Sequence, residues 1–214
     1  MSAFQKTGEF WRQFKKNKAA EISLYITVIF ILLAVFAPWV SPYDPFALGT
    51  ESFLPPQRAH WMGTDDLGRD SMSRVFYGTR VSLAVGILAA GTSLVIGMLI
   101  GSCAGYFGGF SDNLLMRLAE YFLVIPRFFL ALLIVAMFGT GIRKTILIIG
   151  VLGWPEIARV VRAQFLTLKE REFVLAARAM GQRSRSIIFS EILPNAIPPA
   201  IVVGSFLVAR AILL

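Results

Sequence analysis

From Val81 to Ser111 the chain carries no charged residue. Crossing the hydrocarbon of a bilayer takes about 20 apolar residues at about 1.5 Å of rise each, so residues 81–104 alone are enough for one span. The run contains Gly86, Gly91, Gly97 and Gly101, with Ala and Ser between them. Small residues let helices approach closely in lipid, which predicts a span packed against partner helices. The rest of the chain agrees. Hydrophobic residues make up 56 % and charged residues 16 %, against about 25 % charged in a soluble domain. These features predict an all-α, polytopic transmembrane helical bundle.

Four further apolar runs accompany the first. Residues 22–40 form a span that outlasts the apolar core of a signal peptide and leads into Ser41-Pro42-Tyr43-Asp44-Pro45 with no small-residue cleavage site. It is expected to remain in the mature protein. Residues 114–138 form a third span carrying Arg117, Glu120 and Arg127, with Pro126 in its middle. Residues 145–161 form a fourth, expected to break at Gly153-Trp154-Pro155, and the fifth begins at Ile192 and is still apolar at Leu214. Residues 41–80 differ. Pro42, Pro45, Pro55 and Pro56 rule out a long helix. Thr64 or Asp65 could then cap a short helix around Met72, Val75 and Phe76, lying in the membrane interface.

Lys and Arg set the expected orientation. The tail holds Lys6, Arg12, Lys15, Lys16 and Lys18, and a second basic segment holds Arg162, Lys169, Arg171, Arg178, Arg183 and Arg185. The arginines of the 41–80 connection are diluted by Asp44, Glu51, Asp65, Asp66 and Asp70. Alternating spans put both basic segments on one side, which predicts a cytoplasmic N-terminus. The formal charge of +8 therefore belongs to segments flanking spans, and nucleic acid is excluded as a partner in favour of membrane lipid. A membrane-embedded enzyme would need clustered nucleophiles, bases or metal ligands. One His, one Cys and no His/Asp/Glu cluster within the spans exclude it, and Cys103 cannot form an intrachain disulfide. No catalytic, metal or cofactor residue is expected.

Charges within spans are costly and tend to face a cavity. Glu120, Pro126 and Arg127 are the candidates for lining a path. Glu120 and Arg127 share a helix face seven positions apart, whereas Arg117 and Glu120 are spaced to pair or to reach the cytoplasmic interface. Arg210 is expected to extend to the outer interface.

The segment 162–194 carries a different signal. A helical run through Ala176, Ala177 and Ala179 ends at Gly181, suited to a left-handed helix end, and a second segment ends at Leu193-Pro194. The expected form is a helix–Gly–helix hairpin on the cytoplasmic face, whose small residues admit another protein close to the backbone. The spacing of Ala176-Ala177, Gly181 and Leu193-Pro194 resembles the cytoplasmic loop of binding-protein-dependent ABC importer permeases. Leu175 stands where that motif has Glu, Glu191 stands where it has Ile, and an acid occurs one turn earlier at Glu172. Further stretches resemble the C-type permease of dipeptide, oligopeptide and nickel importers: Leu54-Pro55-Pro56, Gly63-Thr64-Asp65-Asp66-Leu67-Gly68-Arg69-Asp70, Ser73-Arg74, Tyr77-Gly78-Thr79-Arg80, Ala104-Gly105-Tyr106-Phe107-Gly108-Gly109 and Gly153-Trp154-Pro155.

The resemblance implies an importer permease fold of six spans, so that this chain reads as truncated within the fifth. Charge and hydropathy divide the chain into a basic cytoplasmic tail (1–20), a first span with an external loop and interfacial helix (21–80) and a core (81–214), which the resemblance makes an incomplete permease core with a cytoplasmic coupling hairpin at 162–194. The resemblance implies a homologous second permease subunit, two ATPase subunits that bind the ATP, and an external substrate-binding protein, in a bacterial inner membrane. Docking to the ATPase would fall on Glu172, Leu175, Ala176, Ala177, Gly181, Leu193 and Pro194. A secondary transporter or channel subunit is the alternative: it suits broken helices and intramembrane charges equally but gives no reason for the hairpin.

Overall fold

A computed structural model describes residues 14–213. The basic tail expected over residues 1–20 lies outside the described residues up to residue 13, as does Leu214. The helices are α1 (Lys18–Val40), α2 (Ser71–Phe107), α3 (Gly109–Val124), α4 (Arg127–Phe138), α5 (Ile142–Leu168), α6 (Glu172–Ala179) and α7 (Ser184–Leu213). The contacts divide the chain into two compact units, one to Leu83 and one from Ala84.

In the first unit, α1 starts where the Asn17 side chain accepts the Ala20 amide at 3.3 Å, with Glu21 in the first turn. An acceptor and an acid at a helix start offset the unpaired amides and the positive end of the dipole. The helix is apolar on nearly every face, and among its residues only Ala34 and Ala37 are buried, as suits a lipid-facing span. The 41–70 connection is held by side-chain hydrogen bonds. Thr64 Oγ1 accepts the Leu54 amide at 2.9 Å and donates to the Glu51 carbonyl at 3.0 Å. Asp65 accepts the amides of Leu67 and Arg69 and the guanidinium groups of Arg69 and Arg74. The cap of α2 is Asp70, not Thr64 or Asp65: its Oδ2 accepts the Ser73 amide at 2.8 Å and the Ser73 hydroxyl at 2.6 Å. Residues 71–80, expected as a separate interfacial helix, are the opening turns of α2.

In the second unit, α2, α5 and α7 meet along small residues. A Cβ on Gly97, Gly101 or Gly105 would lie 2.6 Å from Ile157 Cβ, 2.6 Å from the Ala158 carbonyl oxygen and 2.5 Å from Phe165 Cβ respectively. Four-residue spacing puts these glycines on one face of α2, and α5 lies against it. The core continues through Ile157, Val161 and Phe165 of α5, Val174 and Ala177 of α6, and Ile187, Ile192, Ala196 and Ala200 of α7. Trp154 and Ala158 pack on Ala119 of α3.

Two span expectations are corrected. The 114–138 run is not one helix: α3 and α4 meet at Ile125–Pro126 with a bend of 88°, because Pro126 lacks an amide and biases the preceding residue to extended backbone. The 145–161 run does not break. α5 is continuous through Pro155, and the Ser93 hydroxyl donates to the Gly150 carbonyl at 2.7 Å. The carbonyl left without an amide by the proline is that of Val151, and the helix persists there with Leu152, Gly153, Trp154 and Pro155 all buried. Nor does Pro194 end a helix; α7 runs through it after a π-helical stretch at Ile187–Ile192.

Among the described residues three helices are long and apolar enough to cross a membrane, or four with the bent α3/α4 pair counted as one span. The fourth expected span is absent from that set. α5 carries Arg143, Lys144, Glu156, Arg159 and Arg162, and it is covered by other helices at Leu152, Trp154, Ile157, Ala158, Val161 and Phe165.

Candidate functional site

The first candidate is the α6 hairpin. Glu172 occupies the first turn of α6 and Arg178 the last, each at the end its charge favours. Val174 is fully buried and Ala177 is 2 % exposed; both join the core with Ile187, Ile188 and Ile192. The Arg178 guanidinium lies 5.5 Å from the Tyr106 ring centroid, tying α6 to the end of α2. Gly181 terminates the helix at φ +75. Its amide donates to the Arg178 carbonyl at 2.9 Å, and the Gln182 amide donates to the Ala177 carbonyl at 3.1 Å. These two bonds form a Schellman motif, which requires a left-handed residue where Gly181 stands.

The opposite face of α6 is uncovered. Glu172, Phe173, Leu175, Ala176, Met180 and Gly181 are exposed, Met180 at 73 %. The expected docking residues therefore separate into two groups. Glu172, Leu175, Ala176 and Gly181 share the open side; Ala177 is buried, Leu193 packs partly buried against the core, and Pro194 is exposed on α7.

The second candidate is a charged cavity of about 360 Å3. Glu156 Oε1 lies 2.9 Å from Arg127 Nη2 and 2.8 Å from Arg210 Nη1. Only the Arg210 contact is aligned as a hydrogen bond; Arg127 Nη2 is buried with no hydrogen-bond partner. The walls are otherwise mostly apolar and small, among them Ala89, Ala90, Leu152, Gly153 and Leu207. Arg127 opens α4 at the 88° break, and Leu123 on the other side of the break lines the same cavity.

Glu120 is elsewhere. The bend at Pro126 ends the shared face expected for Glu120 and Arg127. Glu120 lines a polar recess with Asp112, Asn113, Met116, Arg117 and Arg162. Arg162 donates to both Asp112 oxygens, at 2.6 Å from Nη2 to Oδ2. Among the described residues Arg117 and Glu120 form no ion pair. Arg210 does not simply reach outward but pairs with Glu156.

Sequence reasoning passed over Glu156 and the Asp112–Arg162 pair. Glu156 was detectable as the sole acid of α5, next to Gly153-Trp154-Pro155. Its partners come from 29 residues before and 54 after, which no local spacing reveals. A third polar group lies outside the spans. His60 Nδ1 is 2.9 Å from Asp70 Oδ1, and the Tyr43 and His60 rings are 4.9 Å apart. Burial alone would raise the Asp70 pKa, but the Ser73 and His60 hydrogen bonds hold it below the usual carboxylate value. Asp65 is depressed likewise: desolvation opposes the shift, and the amides of Arg69 and Leu67 with the Arg69 and Arg74 side chains outweigh it.

An all-α chain of long apolar helices, with a bent helix pair and intramembrane charges around a cavity, is a multi-pass membrane protein of the transport class. It belongs to the family of binding-protein-dependent transport system inner membrane components, whose family profile matches residues 93–214. The N-terminal TM domain of oligopeptide transport permease C matches residues 7–56. The chain is 39 % identical over 207 residues to the dipeptide transport system permease protein DppC of Bacillus subtilis (strain 168), covering 96 % of this chain and 65 % of that one. It is 37 % identical over 216 residues to the oligopeptide transport system permease protein OppC of the same organism, covering 97 % and 70 %. The glutathione transport system permease protein GsiD of Pectobacterium atrosepticum is 33 % identical over 212 residues, covering 96 % and 69 %. The chain thus spans about two thirds of the length of these relatives.

Proposed function

We propose that this chain is the permease subunit of an ATP-driven importer for peptides or similar small solutes. It forms half of a translocation path with a homologous second permease subunit in a bacterial inner membrane. An external binding protein delivers the solute, and two ATPase subunits on the cytoplasmic side bind ATP; the chain itself does no covalent chemistry. The observation that carries the reading is the two-sided α6. Its inner face, Val174 and Ala177, is fixed to the core, while Phe173, Leu175 and Met180 are exposed among the described residues. Leu175 on one flank of the open side, and Phe173 with Met180 on the other, border Glu172, Ala176 and Ala179, a surface of small and apolar residues that suits a protein partner. Seated in an ATPase groove, α6 would transmit ATPase closure to α5 and α7, to which it is joined in sequence and through the core. The names of the relatives support peptides as the solute class. The 88° break at Arg127 suits a secondary transporter equally well, but that alternative leaves the outward face of α6 without a use.

The test is cross-linking in the intact transporter. With Cys103→Ser as background, Leu175→Cys is expected to cross-link to an ATPase subunit and Ile188→Cys, in the core, is not. Cross-linking of Leu175→Cys to lipid alone would overturn the docking assignment.

A further inference from the structure

We propose that the Arg127–Glu156–Arg210 cluster is a transit site for a single carboxylate group of the solute, with Glu156 holding the two arginines in place until that carboxylate arrives. The inference rests on the permease reading above and adds the chemistry the path recognises. Two guanidiniums converge on a single carboxylate oxygen, so the cluster carries one positive charge in excess. Arg127 Nη2 lies 2.9 Å from Glu156 Oε1 yet is buried and makes no aligned hydrogen bond, so its donor capacity is incompletely used. A guanidinium is a planar fork that favours two parallel bonds to a carboxylate, and Arg127 has part of that capacity unused. The walls around it are mostly apolar, which strengthens the attraction for an anion relative to water.

Two further features bear on the site. The first amides of α4 receive no side-chain cap, and a half-helix N-terminus adds positive potential beside Arg127. The cavity volume, about 360 Å3, is in the range of small-molecule sites. A single excess charge matches a single carboxylate group. A solute carboxylate also replaces Glu156 on Arg127 like for like, so the site can be emptied again when Glu156 returns. A site of two free arginines would hold the anion too firmly for transit.

The experiment uses the intact transporter in vesicles, with its binding protein and ATP, and compares uptake of an alanine dipeptide with that of its C-terminal amide. The binding protein is the same in every vesicle, so its own preference cancels between variants. Arg127→Gln is expected to lower the acid-to-amide uptake ratio about tenfold, the scale of one charge-assisted bond. Glu156→Gln, which removes the carboxylate that displaces the solute from the two arginines, is expected to lower that ratio as well, through slowed release of the acid. Where Arg127→Gln does not assemble, Arg210→Gln carries the same expected fall. If acid and amide uptake decline together in all variants, the cluster is a structural clamp; the inference is then overturned and the permease reading stands. Ratios that follow anionic lipid content but not these substitutions would assign the cluster to lipid headgroups and overturn it too. If the wild-type vesicles take up neither probe, the peptide-permease reading itself fails and the inference falls with it.

Discussion

Gly181 shows how one residue controls a surface. Its φ of +75 lies in the left-handed region, yet a Cβ there would meet nothing within 4 Å. The requirement is therefore conformational and not steric. A left-handed non-glycine residue costs roughly 1–2 kcal/mol, and a β-branched one fares worst. Gly181→Val is expected to undo the Schellman turn, re-aim α6 and uncouple ATP hydrolysis from transport while leaving insertion intact. Gly181→Asn should be milder, since Asn tolerates the left-handed region. Co-purification with the ATPase subunits, alongside substrate-stimulated hydrolysis in vesicles, reads both. Full assembly and stimulation in Gly181→Val, with loss on neutralising Arg183 and Arg185, would leave the hairpin as a membrane-surface element. Gly181 was legible in the sequence because a helix end is a local event. The role of Glu156 was not, although the residue stands out as the sole acid of α5, because it is fixed by Arg127 and Arg210 on other helices. Ala177 was half legible: its small size was read as room for a partner, whereas its place on the inner face of α6 makes it core.

Among the elements, α2 and α5 show what small residues do in a membrane protein. With lipid as apolar as any side chain, helices associate through close packing, and the Gly97, Gly101 and Gly105 face allows it. Gly101→Ala would place a methyl 2.6 Å from the Ala158 carbonyl oxygen and 2.8 Å from Val161 Cβ. Both are main-chain or branched atoms with little freedom to yield. Overpacking of this kind costs about 1–3 kcal/mol. Gly91→Ala is the matched control, since nothing lies within 4 Å of its Cβ position. Thermal unfolding of the detergent-solubilised protein is expected to show a lowered midpoint for Gly101→Ala and none for Gly91→Ala; equal midpoints would refute close packing at this seam. The tendency of α2 to pack was legible from its glycines. The state of the two proline-containing runs was not. Pro126 bends its run, whereas Pro155 is accommodated in a helix covered by neighbours, with Ser93 bonding nearby. A proline's effect depends on what surrounds it, and the sequence does not contain the surroundings in readable form.

At the scale of the whole molecule, the side each segment faces depends on whether α5 crosses the membrane. Its charges keep it out of the set of apolar spans, yet Arg162 is paired with Asp112 and Glu156 with Arg127 and Arg210. Paired charges facing other helices are compatible with crossing. Before and at the start of α2, Arg69 and Arg74 bind Asp65, and Arg69 also lies 3.9 Å from Asp66. Lys169, Arg171, Arg178, Arg183 and Arg185 have no acidic partner among the described residues. Orientation follows the number of Lys and Arg near span ends, with acids counting little; residues 169–185 carry Lys169, Arg171, Arg178, Arg183 and Arg185 against Arg58 and Arg69 in residues 41–70, so the former should face the cytoplasm and the latter the outside. Between Ser52 and Ala179 the chain then crosses three times, by α2, by the bent α3/α4 pair and by α5. In a Cys103→Ser background, Ser52→Cys is expected to react with an impermeant thiol reagent from outside, and Ala179→Cys only after the cytoplasmic side is opened. The two positions test different parts of the argument. Reaction of Ser52→Cys from the cytoplasm alone would invert the orientation. Reaction of both from outside would mean an even number of crossings between them, with α5 or the bent pair failing to span, and α6 would then lie beyond reach of any ATPase.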